Sequence, residues 1–402
     1  MSRGHWELVG RSGLCMLAFT LGCAGAQPRT AGAAPARSSL AAAYRLGELP
    51  AVYRDDFERA KRLMDAGRLD ESVALLDAIR RRAPHNEFVL HELALAYRLS
   101  HRPEKAVELL APYEAVLTVQ SAASFGSAFD EAGRPDEAEA ALRRAIGRFP
   151  RAALLYSELA AVLAMNRRMD ESVEMLARGM RAEPTNAAIH HQGAAIFANS
   201  RAGAMTLYWG EVFRLLEPGS ERSAAMGEAM VNVLRQNVEF TPSDESGAYT
   251  ISTHLAPGSP SGVLLSGGRV GMPFMWAYEQ LFAVSLSAAG VHEINLANLH
   301  STRAVMIEHL GTGGAGPVLD QDLFVWLEAL RLAGHLEAYD YWLLGPGFPQ
   351  EWETWRRDHA DALTALSAYI ASHPFHPTAG VAPEDPVLLR AGPPPETPVT
   401  QL

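Results

Sequence analysis

The chain has 402 residues, 48% of them apolar, and a formal net charge of −11. Its basic residues number 35 against 46 acidic ones, and lysine occurs only as Lys61 and Lys105. This balance excludes the basic footprint of a nucleic-acid binder, and two cysteines, Cys15 and Cys23, exclude a disulfide scaffold or a cysteine-based zinc site.

The first 22 residues are expected to be a targeting signal. Arg3 and Arg11 supply positive charge, and Leu14 to Leu21 forms an apolar core too short to cross a bilayer as a helix. It ends in Thr20-Leu21-Gly22-Cys23. This resembles the lipobox of bacterial lipoproteins, with Thr20 a departure from the usual leucine and Glu7 unusual in the charged region. The resemblance implies palmitate-type lipidation at Cys23. With Ala24 next, it also implies a lipid-anchored, periplasm-facing protein at the outer membrane of a bacterial envelope. Residues 23–50, rich in Ala, Arg, Pro, Ser and Gly, are expected to form a flexible tether.

Residues 51–221 repeat themselves. Prolines fall at 84, 150, 184 and 218. Polar turns recur in step at Gly67-Arg68, His101-Arg102, Gly133-Arg134 and Arg167-Arg168. Each is followed by an apolar run, such as Ser72-Val73-Ala74-Leu75-Leu76. Small residues sit where two helices must approach, as Gly126 and Ala138 do in the third unit. A period near 34 with two helical stretches per unit predicts a helical solenoid of about five repeats. The pattern resembles the tetratricopeptide repeat (TPR) family. The third unit is two residues short, and residues 187–220 are degenerate, with Gly210 where a large side chain is expected.

That resemblance implies a scaffold that binds a protein or peptide in a groove lined by the first helix of each pair. The groove candidates are Phe57, Lys61, His91, Arg98, Ser127, Asp130, Ser157, Met165, His191 and Asn199. The Lys and Asn set with which some family members grip a partner's terminal carboxylate is missing. Arg80-Arg81-Arg82 and Arg143-Arg144 are expected on a solvated face.

The period is lost after residue 221, and residues 222–402 carry 8 basic and 19 acidic side chains. Residues 222–376 are expected to form a mostly helical domain, with a short β excursion within 238–270. The expected helices are 224–236, Phe274 to Ala289, one from Asp320 to Ala333 stopped by Gly334, and two around Gly345-Pro346-Gly347. Residues 377–402, with Gly392-Pro393-Pro394-Pro395, are expected as a disordered tail. The overall class is mainly α.

Three constellations in this half bear on an enzyme reading. His292-Glu293, His300 and Glu308-His309 lack the spacing of a zinc protease or of two ligands on one helix face. Gly267-Gly268-Arg269-Val270-Gly271 lacks both the phosphate-loop and the dinucleotide pattern, and reads as a turn. Ser261, Ser266 and His254 have no nucleophile elbow around them. No catalytic residue, metal site or cofactor is therefore assigned. The aromatic set Trp276, Tyr278, Trp326, Tyr339, Tyr341, Trp342, Trp352 and Trp355 reads as core, with a peptide or glycan cleft as the alternative. The expected function is a membrane-anchored, non-enzymatic scaffold engaged in protein–protein interaction, possible in envelope assembly. The alternatives are an enzyme with its site in residues 238–376 and a cell-wall glycan binder.

Overall fold

The computed structural model describes residues 49–198, 202–243, 248–256, 264–266, 269–312, 322–378 and 386–390. Cys23, the expected signal and most of the expected tether lie outside the described residues. The chain divides into two compact units, residues 1–183 and 184–402.

The first unit is a run of helix pairs. They are α1 (Ala51–Asp65) with α2 (Leu69–Arg80), α3 (Glu87–Leu99) with α4 (Pro103–Leu110), α5 (Val119–Glu131) with α6 (Pro135–Arg148), and α7 (Ala153–Met165) with α8 (Met169–Ala182). The expected turns are in place and share one mechanism. Gly67, His101, Gly133 and Arg167 all take positive φ, between 55° and 72°. In each turn the next amide reaches back five positions along the first helix: Arg68 N–H to the Leu63 carbonyl, Arg102 to Tyr97, Arg134 to Phe129 and Arg168 to Leu163. This left-handed cap satisfies carbonyls that the helix end leaves orphaned. The arginine that follows then pairs with the first turn of the second helix, as Arg68 does with Glu71, Arg134 with Glu137 and Arg168 with Glu171. A carboxylate there also suits the positive end of the helix.

Each pair is closed by a contact between residues 12 apart. Ser72 Oγ donates to the Ala60 carbonyl at 2.8 Å, and Ser172 Oγ to the Ala160 carbonyl at 2.7 Å. In the third pair the contact is apolar and tight. A Cβ added at Gly126 would lie 2.5 Å from Leu142 Cγ, and Ala138 is fully buried. The two-residue shortening expected in the third unit falls in the second instead, since the first helices start at Glu87, Val119 and Ala153, and it has a cause. Pro112 follows α4, and a 3-10 helix, Ala111–Val116, takes the place of further α-helical turns.

The fifth helix pair, α9 (Ala187–Phe197) and α10 (Gly203–Leu216), was expected with the solenoid but belongs to the second compact unit. It keeps the 12-residue contact, with Thr206 Oγ1 donating to the Ala194 carbonyl at 3.0 Å. The reason for its placement is that α10 is buried on every side from Gly203 to Arg214. Gly210 stands where Met226 and Met230 of α11 (Glu221–Asn237) press against the helix; a Cβ there would lie 3.0 Å from the Met226 sulfur.

After α11 comes an antiparallel hairpin of β1 (Val238–Ser243) and β2 (Ala248–Thr253), in register Val238 to Thr253. A second sheet has the order β3 (Leu264–Ser266), β4 (Arg269–Pro273), β5 (Pro386–Arg390), all antiparallel. The β excursion was therefore expected in part. The strand β5 corrects the reading of 377–402 as disordered throughout. Val387-Leu388-Leu389 is a short run of strand-forming and apolar residues between breakers, and it pairs with β4 in register Gly271 to Leu388. Arg269, Val270 and Gly271 are strand residues, and Gly267-Gly268 lie outside the described residues.

The remaining helices are α12 (Phe274–Ala288), α13 (Leu296–Thr312), α14 (Asp322–Leu332), α15 (Leu336–Leu344), α16 (Pro349–Asp358) and α17 (Ala360–Ser372). Gly334 ends α14 in the left-handed conformation, with φ +80°. The Asp320 cap lies outside the described residues. Among the described residues no helix is long and apolar enough to cross a membrane.

Candidate functional site

In the first unit the first helices α1, α3, α5 and α7 carry polar side chains that reach from one helix to the next. Buried Glu87 of α3 accepts from Thr118 Oγ1 at 2.7 Å and from Ser121 Oγ of α5 at 3.0 Å. Arg98 of α3 crosses to Glu131 of α5, with Nη2 to Oε1 at 2.7 Å and Nε to Oε2 at 3.1 Å. Ser127 of α5 donates to Glu158 Oε2 of α7 at 2.6 Å. Three large apolar side chains of these helices stay in water: Val52 at the start of α1, Phe88 of α3, which is 46% exposed, and Met165 of α7, which is 44% exposed.

The groove carries an excess of negative charge in a place where charge is costly. Burial pushes the Asp130 carboxyl up from 3.8 to about 6, helped by the neighbouring Glu131 and Glu158 carboxylates. Burial also raises Glu158, against the hydrogen bond from Ser127 and the field of Arg98. Burial raises Glu92 of α3, with Lys61 pulling the other way. His91 is held below its ordinary value, chiefly by burial, and its Nδ1 has no hydrogen-bond partner. It adds no positive charge near neutral pH.

The raised carboxyl of Asp130 carries a stability statement. Between its unfolded value and about 6 the folded chain holds a proton that the unfolded chain releases. Stability from this group therefore falls as pH rises through that window and is lowest above it. Asp130→Asn should leave stability unchanged near pH 4 and raise it by about 1–2 kcal/mol at pH 7.5, after discounting for partial exposure. Urea unfolding at the two pH values checks this. A gain at pH 4 equal to that at pH 7.5 would contradict the assignment.

Of the groove candidates, Phe57, Lys61, His91, Arg98, Ser127, Asp130, Ser157 and Met165 lie on the first helices of the first unit. Lys61 sits 3.7 Å from Glu58 and 5.9 Å from the centre of the Phe57 ring. His191 lies in the second unit, its ring 4.7 Å from that of Phe213, and Asn199 lies outside the described residues. Sequence reasoning missed Phe88, Glu92, Glu131 and Glu158. A signal for the glutamates was present. Glu58, Glu92 and Glu158 each stand two residues before the close-contact alanine of their unit, Ala60, Ala94 and Ala160. Arg80 and Arg81 pair with Asp77, Arg143 with Glu139 and Arg144 with Glu114, as a solvated ionic face.

In the second unit the histidines of the sequence constellation do not converge. His292 stacks on Tyr249 at 5.1 Å, whereas His300 Nδ1 meets Asp340 at 2.9 Å. Among the described residues no group of His, Cys, Asp or Glu could hold a metal. Asp340 belongs to a buried network. Arg303 Nε donates to Asp340 at 2.6 Å, its Nη1 and Nη2 grip Glu211 at 3.1 and 2.6 Å, and Tyr339 donates to Glu211 at 2.9 Å. Arg303, Glu211 and Asp340 thus complete one another. Glu279 accepts two backbone amides, from Leu255 at 2.9 Å and Ala256 at 3.1 Å.

The aromatic set is mostly interior. Tyr278 and Tyr339 are buried, and Trp355 stacks on Tyr341 at 4.5 Å and on His359 at 4.4 Å while its Nε1 donates to Glu337. An open depression of about 520 Å³ lies beside them, lined by Gln350, Glu351, Thr354 and Asp358 among others. Trp355 itself is only 8% exposed, which leaves little ring for a sugar to stack on.

Helix pairs with a 12-residue contact, a left-handed turn and a polar inner groove define a helix-pair solenoid built for polypeptide interaction. Residues 124–187 match the tetratricopeptide repeat family, and the match takes in most of α5 and the whole of α6, α7 and α8. A solved structure, that of YrrB, described as a TPR protein with an unusual peptide-binding site, is 14% identical and covers 43% of this chain and 90% of its own. Its TM-score is 0.29, and at that value the likeness carries no structural argument. No curated protein matches the chain.

Proposed function

We propose that this chain is a membrane-anchored scaffold that holds another polypeptide in the groove of its first helices. The observation that carries the reading is the groove itself. Phe88 and Met165 leave apolar surface in water on the same first helices that carry the half-buried carboxylates Glu92 and Asp130, whose charge burial makes costly. Exposed apolar surface and desolvated charge both cost stability, and a bound partner relieves both. The anchor is the lipid on Cys23, after the apolar run Leu14 to Leu21 and Gly22. Each buried methylene of such a chain contributes about 0.8 kcal/mol to membrane binding. The place is the periplasmic side of an outer membrane, and the role is assembly of envelope components.

Two measurements test the two halves of the reading. Phe88→Ala/Met165→Ala should keep its helical circular dichroism and lose the partner that wild-type protein captures from solubilised membranes. Capture undiminished in that variant would mean the groove is not the binding surface. Cys23→Ala should yield protein without lipid mass at its mature N-terminus. An unmodified wild-type terminus beyond Cys23 would remove the anchor.

A further inference from the structure

We infer that the occupant of the groove is a basic polypeptide segment, extended along the first helices, with lysine or arginine side chains about three residues apart. This deepens the proposed function and rests on it. Carboxylates recur along the first helices. Glu58, Glu92 and Glu158 hold the same place in the first, second and fourth units, two residues before the alanine that packs against the second helix. In the third unit Ser124 holds that place, and the carboxylates appear instead at Asp130 and Glu131, on the same helix α5. A repeat position of this kind recurs once per helix pair, so the charges lie on α1, α3 and α7, with the carboxylates of α5 six and seven residues further along their helix, rather than in one local cluster.

The cations of the groove are already committed. Arg98 is spent on Glu131, and Lys61 lies beside Glu58. The side chains of Glu92 and Asp130 have no hydrogen bond among the described residues, and both are half-buried. Asp130 faces Glu131 of its own helix and Glu158 of α7, and Glu92 feels Glu58 and Asp65 of α1 and Glu87 of α3, with Lys61 as the opposing charge. A desolvated carboxylate among like charges is an unfavourable native state that a cationic ligand would relieve. An acidic or phosphorylated ligand would add to the repulsion.

The spacing follows from the architecture. Packed helices stand about 8–10 Å apart, and an extended chain of the polyproline II type rises about 3.1 Å per residue with three residues per turn, so that side chains three apart share a face. Side chains three residues apart therefore meet successive first helices. Between them, apolar residues can cover Phe88 on α3 and Met165 on α7.

The test is a selection of random 12-residue displayed peptides on the full chain, with counter-selection on Phe88→Ala/Met165→Ala. The selected peptides are then measured by fluorescence anisotropy. The expected result is enrichment of basic peptides with a basic-x-x-basic spacing, weakened about tenfold by Glu92→Gln and about tenfold by Asp130→Asn, and weakened further by raised salt. Asp358→Asn, in the second unit, should leave binding unchanged. Groove-dependent peptides that are neutral or acidic, or basic ones indifferent to both substitutions, would overturn the inference and leave the scaffold reading standing. Absence of any groove-dependent peptide would overturn the scaffold reading as well.

Discussion

Arg303→Met should lower the stability of the second unit by about 3–5 kcal/mol. Arg303 is 8% exposed at its side chain, and its guanidinium is the single cation between Glu211 and Asp340, which are 2% and 1% exposed. Removing it leaves two buried carboxylates, with Tyr339 and His300 as their remaining side-chain hydrogen-bond partners among the described residues. For a unit of this size the melting temperature should fall by roughly 10 °C. The cost is that of an uncompensated charge, not of the pair as such. Glu211→Leu/Arg303→Met/Asp340→Leu should therefore recover much of the loss, because apolar side chains of similar volume replace the whole set. Calorimetry of the single and triple variants separates the two effects. An unchanged transition in Arg303→Met would mean the network contributes nothing.

Gly126→Leu should destabilise the repeats by about 3 kcal/mol or more. The first atom of the new side chain alone would stand 2.5 Å from Leu142 Cγ, 2.6 Å from Cδ2 and 2.9 Å from Cδ1. Leu142 is fully buried and cannot swing into water, so α5 and α6 must separate and the contact beneath them opens. Gly147 provides the contrast. It lies within α6, with nothing inside 4 Å of where its Cβ would be. Gly147→Ala should raise stability by about 0.5–1 kcal/mol through helix propensity alone. Equal effects of the two substitutions would show that the helix contact is not tight.

The repeats were legible because their physics is local. Every signal in the first unit lies within one period: Gly67 ends a helix five residues before Ser72 meets Ala60, and Gly133 does the same before Ala138. The family match falls on the third and fourth units. The groove was half legible. Its helix faces followed from the period, but the unpaired state of Asp130 and Glu92 depends on which neighbours already hold the cations, and Arg98 finds Glu131 at a separation of 33 residues. The second unit was legible only as helices. Arg303 meets Glu211 across 92 positions, and Tyr339 meets it across 128. No period connects those residues, and α10 retained enough of the repeat pattern to be read as its last member. Strand β5 was hidden for the same reason, since its partner β4 lies more than a hundred residues away.

Those long separations bear on how the chain reaches its fold. The helix pairs of the first unit can form as soon as each has been made, because their contacts are short-range, and chains rich in such contacts fold fast. Helix α10 has no such option. Its Trp209 and Phe213 are fully buried in the finished unit, and the hydroxyl that Glu211 accepts comes from Tyr339. During synthesis at about 5–20 residues per second, the 128 positions between Glu211 and Tyr339 take roughly 6–25 s to emerge. During that interval the Glu211 carboxylate waits for Arg303 and Tyr339, and the ring of Tyr208 waits for Phe274 and Phe324. The first unit can be native while the second is still a nascent chain with an adhesive helix, so the hazard of aggregation is concentrated in α10 and in the seconds before residues 303–340 arrive.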